Sequence, residues 1–250
     1  MMARDSAPAS IVRLDTVDST QSVAFGLAER GAADRTVVVA DQQLAGRGRR
    51  GRIWRAPAGT SLLASIIVRP RLPQALLPTF SPMTAVATAE ALRRVAPVAA
   101  RVKWPNDVLV GGKKIAGILL ESRAPVIIIG VGVNLGQREF PPELAGRATS
   151  VALETGRAPD RETMLAALLE EFDAWRARLE REGFGAVREQ WRMLSDTLGR
   201  HVALDGVTGI AVDLDVDGAL LIDAAGTVRR VIAGEIAWDE ATAGSRARGR

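Results

Sequence analysis

Seven residues, Gly46 to Arg52, read Gly-Arg-Gly-Arg-Arg-Gly-Arg and run directly into Ile53-Trp54. Arg47, Arg49, Arg50 and Arg52 each carry a planar guanidinium fork matched to a carboxylate or a phosphate. The glycines between them let the backbone approach a ligand closely and take up positive φ. This is the composition of a loop that wraps an anion. Ordering such a loop costs about 1–2 kcal/mol per residue, so it is expected to stay mobile until an anionic ligand offsets that cost. A basic run also suits a nucleic-acid surface, and the loop alone does not choose between the two.

A second dense stretch is Lys103-Trp104-Pro105-Asn106-Asp107, followed by a Gly111-Gly112 turn, the pair Lys113-Lys114, and then Gly117 and Glu121. An Asn-Asp pair after Trp-Pro, with lysines just past a glycine turn, is hard to explain as core packing. Solvated lysines on a decorated hairpin are the plain alternative. Gly117 lacks a side chain three residues beyond Lys114, which would let a ligand lie on the strand.

Composition narrows the chemistry. The chain has 250 residues, 47% hydrophobic and 25% charged, in the range of a globular protein with one large core or a core plus a small appended domain. It has no cysteine and a single histidine, His201, which excludes disulfides, a thiolate nucleophile and a His-rich metal site. Catalysis must rest on Lys, Arg, Asp, Glu, Ser, Thr or a bound metal. The first ten residues lack an apolar signal core and no apolar run is long enough to cross a bilayer, so the expected location is the cytoplasm, with no membrane partner. The net charge of +4 is concentrated in the arginine loop and the tail Ser245 to Arg250, a local excess that suits a small anionic ligand at least as well as DNA.

The elements that must carry these residues follow from periodicity. Residues 1–10 read as a disordered leader. Ile11 to Leu14, Thr36 to Ala40 and Ser61 to Val68 read as strands, and Asp18-Ser19-Thr20 as the cap of an amphipathic helix that Gly31 stops. Ser81 to Val95 has helical spacing, and Arg101 to Trp104, Val108 to Val110, Lys114 to Glu121 and Val126 to Val133 are extended segments between short turns. Asp160 to Glu182 places Leu165, Leu168, Leu169, Phe172, Trp175 and Leu179 on one helical face, and Phe184 to Leu194 repeats the pattern. From about Leu198 the texture changes to short strands with Asp-Gly and Ala-Gly turns, a small β-barrel. The expected architecture is an α/β (α+β) body over 11–195, a barrel over 196–240 and a flexible basic tail over 241–250.

Taken in order, an Asp-Ser-Thr near the start, Gln43 to Trp54, Lys103 to Val108, Lys114 to Leu119, Gly-Val-Gly-Val-Asn over 130–134 and the final barrel resemble the biotin protein ligases over nearly the whole chain. The resemblance implies a mixed-sheet catalytic domain related to class II aminoacyl-tRNA synthetases and the biotin-lipoate ligases, followed by an SH3-like barrel. It implies MgATP-dependent activation of biotin to biotinyl-5′-AMP and transfer to a lysine of a biotin carboxyl carrier protein. It also implies roles. Ser19, Thr20, Gln21 and Gln43 would face biotin, although the family usually has Asn where this chain has Gln21. Arg47, Gly48 and Arg49 would close over the biotin carboxylate and the α-phosphate, with Lys114 on the same junction and Gly117 beside it. Arg52, Trp54, Asn106 and Asn134 would hold the adenylate, Trp54 near the adenine and Asn134 on its edge. Asp107 would orient Mg²⁺ or the incoming amine.

Some family members begin with a DNA-binding helix-turn-helix of about sixty residues; this chain starts ten residues before its first strand, so no specific DNA binding is expected. It would act as a monomer or a homodimer. A lipoate or octanoate ligase is the nearest alternative. An arginine-loop nucleic-acid module is another, though aromatics are only 4% of the chain and stacking platforms need them. A non-catalytic biotin-binding protein would have little use for the Asn-Asp-Lys cluster.

Overall fold

The computed structural model describes residues 10–234 and 236–238; nearly all of the expected leader and the whole basic tail lie outside them. The chain runs β1 (Ile11–Val17), α1 (Thr20–Glu29), β2 (Val37–Gln43), β3 (Ser61–Val68), α2 (Phe80–Val95), β4 (Arg101–Lys103), β5 (Asp107–Val110), β6 (Lys113–Arg123) and β7 (Val126–Asn134). Helices α3 (Val151–Thr155), α4 (Arg161–Glu182) and α5 (Phe184–Leu194) follow. Strands β8 (His201–Leu204), β9 (Val207–Leu214), β10 (Leu220–Ala224), β11 (Thr227–Val231) and β12 (Ala237–Trp238) end the described chain. The mixed α/β architecture agrees with the sequence reading; α3 and β12, five and two residues long, are too short to leave a periodic trace.

The first seven strands form one sheet in the order β1-β2-β3-β7-β6-β5-β4, parallel only between β1 and β2. Helix α1 covers β2, β3 and β7 on one face, while α2 and α4 pack on the other. That is why β3 is buried at every residue: a strand covered on both faces reads as a continuous apolar run instead of an alternating one. The six apolar residues expected on one face of α4 are all buried, against α2. On its other face the sheet is left uncovered by helix beyond β7, and there the chemically interesting residues collect.

The last five strands form a second sheet, β11-β10-β9-β8-β12. It is joined to the edge strand β4 of the first. Trp104 is 2% exposed; its backbone N–H donates to Thr197 Oγ1 (2.9 Å) and its indole N–H to the Gly218 carbonyl (3.1 Å). Asp196 N–H donates to Val102 O (2.8 Å), and one apolar core runs through both sheets. Trp104 is therefore a packing residue, whereas its neighbours Lys103, Asn106 and Asp107 face elsewhere: the motif that looked unlike core packing is half core. Trp104→Phe should cost about 1–3 kcal/mol of stability by leaving the Gly218 carbonyl without its donor, measurable by urea denaturation.

Candidate active site

Three adjacent strands build the floor. Asp107 on β5 pairs with Gly117 on β6, and Gly117 with Gly132 on β7, so this row of residues shares one face of the sheet. Beside it, Lys114 Nζ lies 2.6 Å from Asp107 Oδ1, with both side chains partly exposed. Asn106 is locked to β6 from both ends: its carbonyl accepts from Ile118 N–H (2.9 Å) and its Nδ2 donates to Ile118 O (2.5 Å). Lys103 stands close enough to feel the same charges. Burial pulls its pKa below the ordinary lysine value, Lys114 and Arg147 add to that, and Asp107 and Asp196 oppose it. Lys103, Lys113 and Lys114 are the chain's only lysines.

Trp54 lies over the two opposed glycines. A Cβ on Gly132 would sit 2.7 Å from Trp54 Cε2, and one on Gly117 would sit 3.0 Å from Lys114 Nζ and 3.1 Å from Trp54 Cζ3. The glycines thus make a shelf for the indole and for the lysine head, which stands 5.7 Å from the ring centroid, within cation–π range. The space that Gly117 was expected to leave for a ligand is taken by these two side chains. Trp54 Nε1 is buried with no hydrogen-bond partner, a donor available to an acceptor that enters here.

The arginine loop closes on itself before it reaches outward. Gly48 N–H donates to Arg52 O (2.8 Å), Arg52 N–H to Arg49 O (3.2 Å) and Trp54 N–H to Gly46 O (2.9 Å). At Gly46 a Cβ would fall 2.3 Å from the Trp54 carbonyl, so only glycine permits that crossing. Three arginines then reach three different places: Arg47 to Glu121 at the far end of β6 (2.8 Å), Arg49 to Asn106 Oδ1 (3.3 Å), and Arg50, at φ 55°, to Asp205 in the β8–β9 turn (3.7 Å). Burial lowers the pKa of Arg49, with Arg50 adding and Asp107 opposing. The loop was expected to need a ligand anion to order it; here it is folded on the protein's own carboxylates and on Asn106. Beneath it is a cavity of about 590 Å³, walled by residues 44–53 and 119–121. Ser19, Thr20, Lys114 and Asn134 are not among the residues that wall it.

A polar chain runs behind the loop. Gln43 Oε1 accepts from Thr20 N–H (2.8 Å) and from Thr20 Oγ1 (3.0 Å), and Thr20 Oγ1 lies 2.8 Å from Ser65 Oγ, which donates to Gln21 Oε1 (2.9 Å). Ser19 caps α1 by accepting from Gln21 N–H at 3.3 Å. Ser19 and Thr20 are almost fully buried, as polar groups around an uncharged polar ligand would be. Gln21 departs from its expected role. Its Nε2 donates to Leu119 O (3.3 Å) and Ile128 O (3.1 Å), and a Cβ on Gly130 would collide with its Oε1 at 2.9 Å. Its amide is spent pegging α1 to the sheet. Asn134 departs likewise: Nδ2 donates to Thr149 O (3.0 Å) and Oδ1 accepts from Gln137 Nε2 (3.0 Å), so its carboxamide is held within a buried network.

Several participants escaped the sequence reading: Glu121 as a loop partner, Ser61 and Ser65, Gln137, Thr149 and Asp205. The two serines did leave a signal, four residues apart in an otherwise apolar strand and hence on one face. Among the described residues no group of three or more His, Asp or Glu could hold a metal ion, and Asp107, the expected metal contact, is ion-paired to Lys114. No helix among them is long and apolar enough to cross a membrane. The shelf is testable by itself. Gly132→Ala should displace Trp54 and cost about 1–3 kcal/mol, seen as a red-shifted emission that is absent when the same change is made in Trp54→Phe.

Comparison with known proteins gives a consistent answer. Residues 14–136 match the model of the Biotin/lipoate A/B protein ligase family, and residues 197–237 that of the Biotin protein ligase C terminal domain. A biotin–[acetyl-CoA-carboxylase] ligase of Paracoccus denitrificans is 38% identical over 223 residues, 84% of this chain and 92% of that protein. Its counterpart in Mycobacterium tuberculosis is 36% identical over 238 residues, 90% and 88% of the two chains. The structure of a biotin protein ligase from Aquifex aeolicus in complex with biotin and ATP superimposes with a TM-score of 0.82 at 31% identity, covering 91% of this chain and 97% of that one. The chain, with its catalytic sheet and its C-terminal domain both matched, belongs to the biotin protein ligase family.

Proposed function

We propose that the residues around the Lys114–Asp107 pair carry out a two-step ATP-dependent biotinylation. In the first step a biotin carboxylate oxygen attacks the α-phosphorus of ATP, and the bond to the departing pyrophosphate breaks. In the second, the amine of a lysine on a biotin carboxyl carrier protein attacks the carbonyl carbon of the biotinyl-5′-AMP; AMP leaves and the nitrogen gives up a proton. No covalent enzyme intermediate is needed, in keeping with a chain that has no cysteine.

The observation that carries this reading is the convergence of cations over the glycine shelf. Two like charges 4 Å apart repel by about 4 kcal/mol at an effective dielectric of 20, so a carboxylate meets a triphosphate only where fixed cations stand between them. Lys114, Lys103 and Arg49 are grouped around Asp107 and Asn106, and the arginine loop closes the same side. Arg47 and Arg49, with the Gly48 backbone, would close over the carboxylate–phosphate junction, and Arg52 would hold the adenylate. Trp54 would offer its unpaired indole N–H to the adenylate. The buried Ser19 and Thr20 and the half-buried Gln43 would meet the ureido ring, with Gln21 holding the helix of the first two in place from behind. When bound with ATP, Mg²⁺ would supply charge neutralisation on the triphosphate, and Asp107 would be the carboxylate to assist it or to receive the incoming ammonium. Because Lys114 already occupies Asp107, one of the two must let go when substrate arrives.

The chain divides into a catalytic body over 11–195 and a C-terminal module over 196–240, and the match of the latter to a biotin protein ligase domain favours biotin over lipoate or octanoate. The same reading has the enzyme working in the cytoplasm, as a monomer or a homodimer joined at the β1 edge, without sequence-specific DNA binding.

Biotin-dependent pyrophosphate release from MgATP is the direct test, and Lys114→Ala should lower it about 10²–10³-fold. Absence of release from folded wild-type protein refutes the ligase assignment, and turnover with lipoate or octanoate instead redirects the substrate. Arg49→Ala should let biotinyl-AMP escape before transfer. Among the chain's own lysines the acyl group should then be found by mass spectrometry on Lys113, the exposed one, in preference to the ion-paired Lys114; an unmodified Lys113 with retained adenylate would count against a sealing role.

A further inference from the structure

We infer that Asp205, in the two-residue turn between β8 and β9, is a positioning residue for the reaction: by holding Arg50 it keeps the arginine loop folded over the site and leaves Arg49 as the cation turned inward. This rests on the adenylation reading above and adds to it a task for the C-terminal module. Arg49 and Arg50 are neighbours in sequence, yet they reach opposite ways. Arg49, half-buried, donates to Asn106 Oδ1 (3.3 Å), while the exposed Arg50 has its Nη2 3.7 Å from Asp205 Oδ1. The hydrogen bonds that close the loop on itself join backbone groups, so they shape it without choosing which arginine turns inward. Like charge opposes both doing so, since Arg50 already makes the charge on Arg49 harder to hold. Asp205 draws Arg50 away.

The backbone carries the same signal. Among the described residues only Arg35, Arg50, Asp205 and Ala225 take a positive φ without being glycine, and two of those four are the partners of this pair. For Asp205 the cause is the hairpin: Leu204 pairs with Val207, and Asp205 and Gly206, at φ 48° and 79°, make the turn between them. Arg50, at 55° beside Gly51 at 74°, is an unusual occupant of that conformation, and the contact with Asp205 is what its side chain gains there. Asp205 is the fixed post of the two. A Cβ on Gly234 would lie 2.2 Å from Leu204 Cδ1 and 3.2 Å from Asp205 Oδ2, so the backbone at 234 backs the turn and Oδ1 is left to Arg50.

A weak latch suits what the loop has to do. It must open to admit the substrates and again for the carrier's lysine, and stay shut between, while the mixed anhydride is exposed to attack by water. The two side chains are 53% and 51% exposed, and an ion pair so wetted shifts a population by no more than about fivefold. Reversing one charge replaces the attraction with repulsion. Reversing both restores it with the partners exchanged, an outcome that separate structural roles for the two residues would not give.

The test compares Arg50→Glu, Asp205→Arg and the double exchange in the full chain by two readouts. One is the rate at which free biotinyl-AMP appears in solution from biotin and MgATP without carrier. The other is trypsin cleavage after Arg52 in the ligand-free protein, located by mass spectrometry, which reports the fold of the loop without any ligase activity. Each single reversal should raise both about fivefold and leave the first burst of pyrophosphate within about twofold of wild type; the double exchange should bring both back to within about twofold. Should Asp205→Arg disturb its hairpin, Asp205→Asn keeps the shape and should raise both about two- to threefold. Single variants that leave both readouts unchanged, or a double exchange as loose as the singles, overturn the assignment. A wild-type protein that releases no pyrophosphate with biotin would instead remove the adenylation reading, and the cleavage readout still decides whether Asp205 holds the loop.

Discussion

The ammonium of Lys114, held 2.6 Å from Asp107 above a pair of opposed glycines, is the interaction around which the rest of the molecule is arranged. A lysine in so crowded a position needs an anion beside it, a surface under it and a backbone that does not move. Asp107 supplies the first from the neighbouring strand. Gly117 and Gly132 make room for the second, since a side chain on Gly132 would collide with Trp54 and one on Gly117 would crowd Lys114 and Trp54. The third comes from the 147–149 strap, which bonds both the N–H and the carbonyl of Lys114. The seven-stranded sheet, covered by helix elsewhere and open at this corner, leaves the lysine reachable while its surroundings stay rigid.

The arginine loop meets the same electrostatic demand in a different manner. Its cations are pre-paired: Glu121 and Asp205 occupy Arg47 and Arg50, and Asn106 occupies Arg49. Exposed pairs of this kind contribute about 0–1 kcal/mol each, enough to shape a glycine-rich loop and little enough to give way to a phosphate. Because the partners belong to β6, to the β4–β5 turn and to the C-terminal sheet, the loop draws together parts of the chain far apart in sequence. The C-terminal module is thereby in touch with the site as well as with the core, through Asp205 on one side and the Trp104–Gly218 bond on the other.

Much of this was legible in advance, for identifiable reasons. β3 and α4 announced themselves because burial on two faces, or on one helical stripe, imposes a pattern on composition. Ser19 could be read as a cap because the first turn of a helix needs an acceptor there. The two dense motifs stood out because glycine, arginine, lysine and asparagine at close spacing serve packing poorly. Less legible was the division of labour inside a motif. Trp104 and Asn106 are two residues apart, yet one is core and the other is site, because the chain turns between β4 and β5. Gln21 and Asn134 carry the residue types of ligand contacts, yet their amides are consumed by Leu119, Ile128, Thr149 and Gln137, partners between 3 and 107 positions away.

The sequence by itself determined the class of chemistry, the succession of elements and the identity of the family, because charge type, periodicity and motif order are properties of the chain read locally. Only the tertiary structure decided which polar groups are already satisfied and which remain for a substrate. Hydrogen bonding is a matter of a few ångströms in space, and the strands, the strap and the loop that meet at Lys114 and Asn134 are brought together only by the register of the folded sheet.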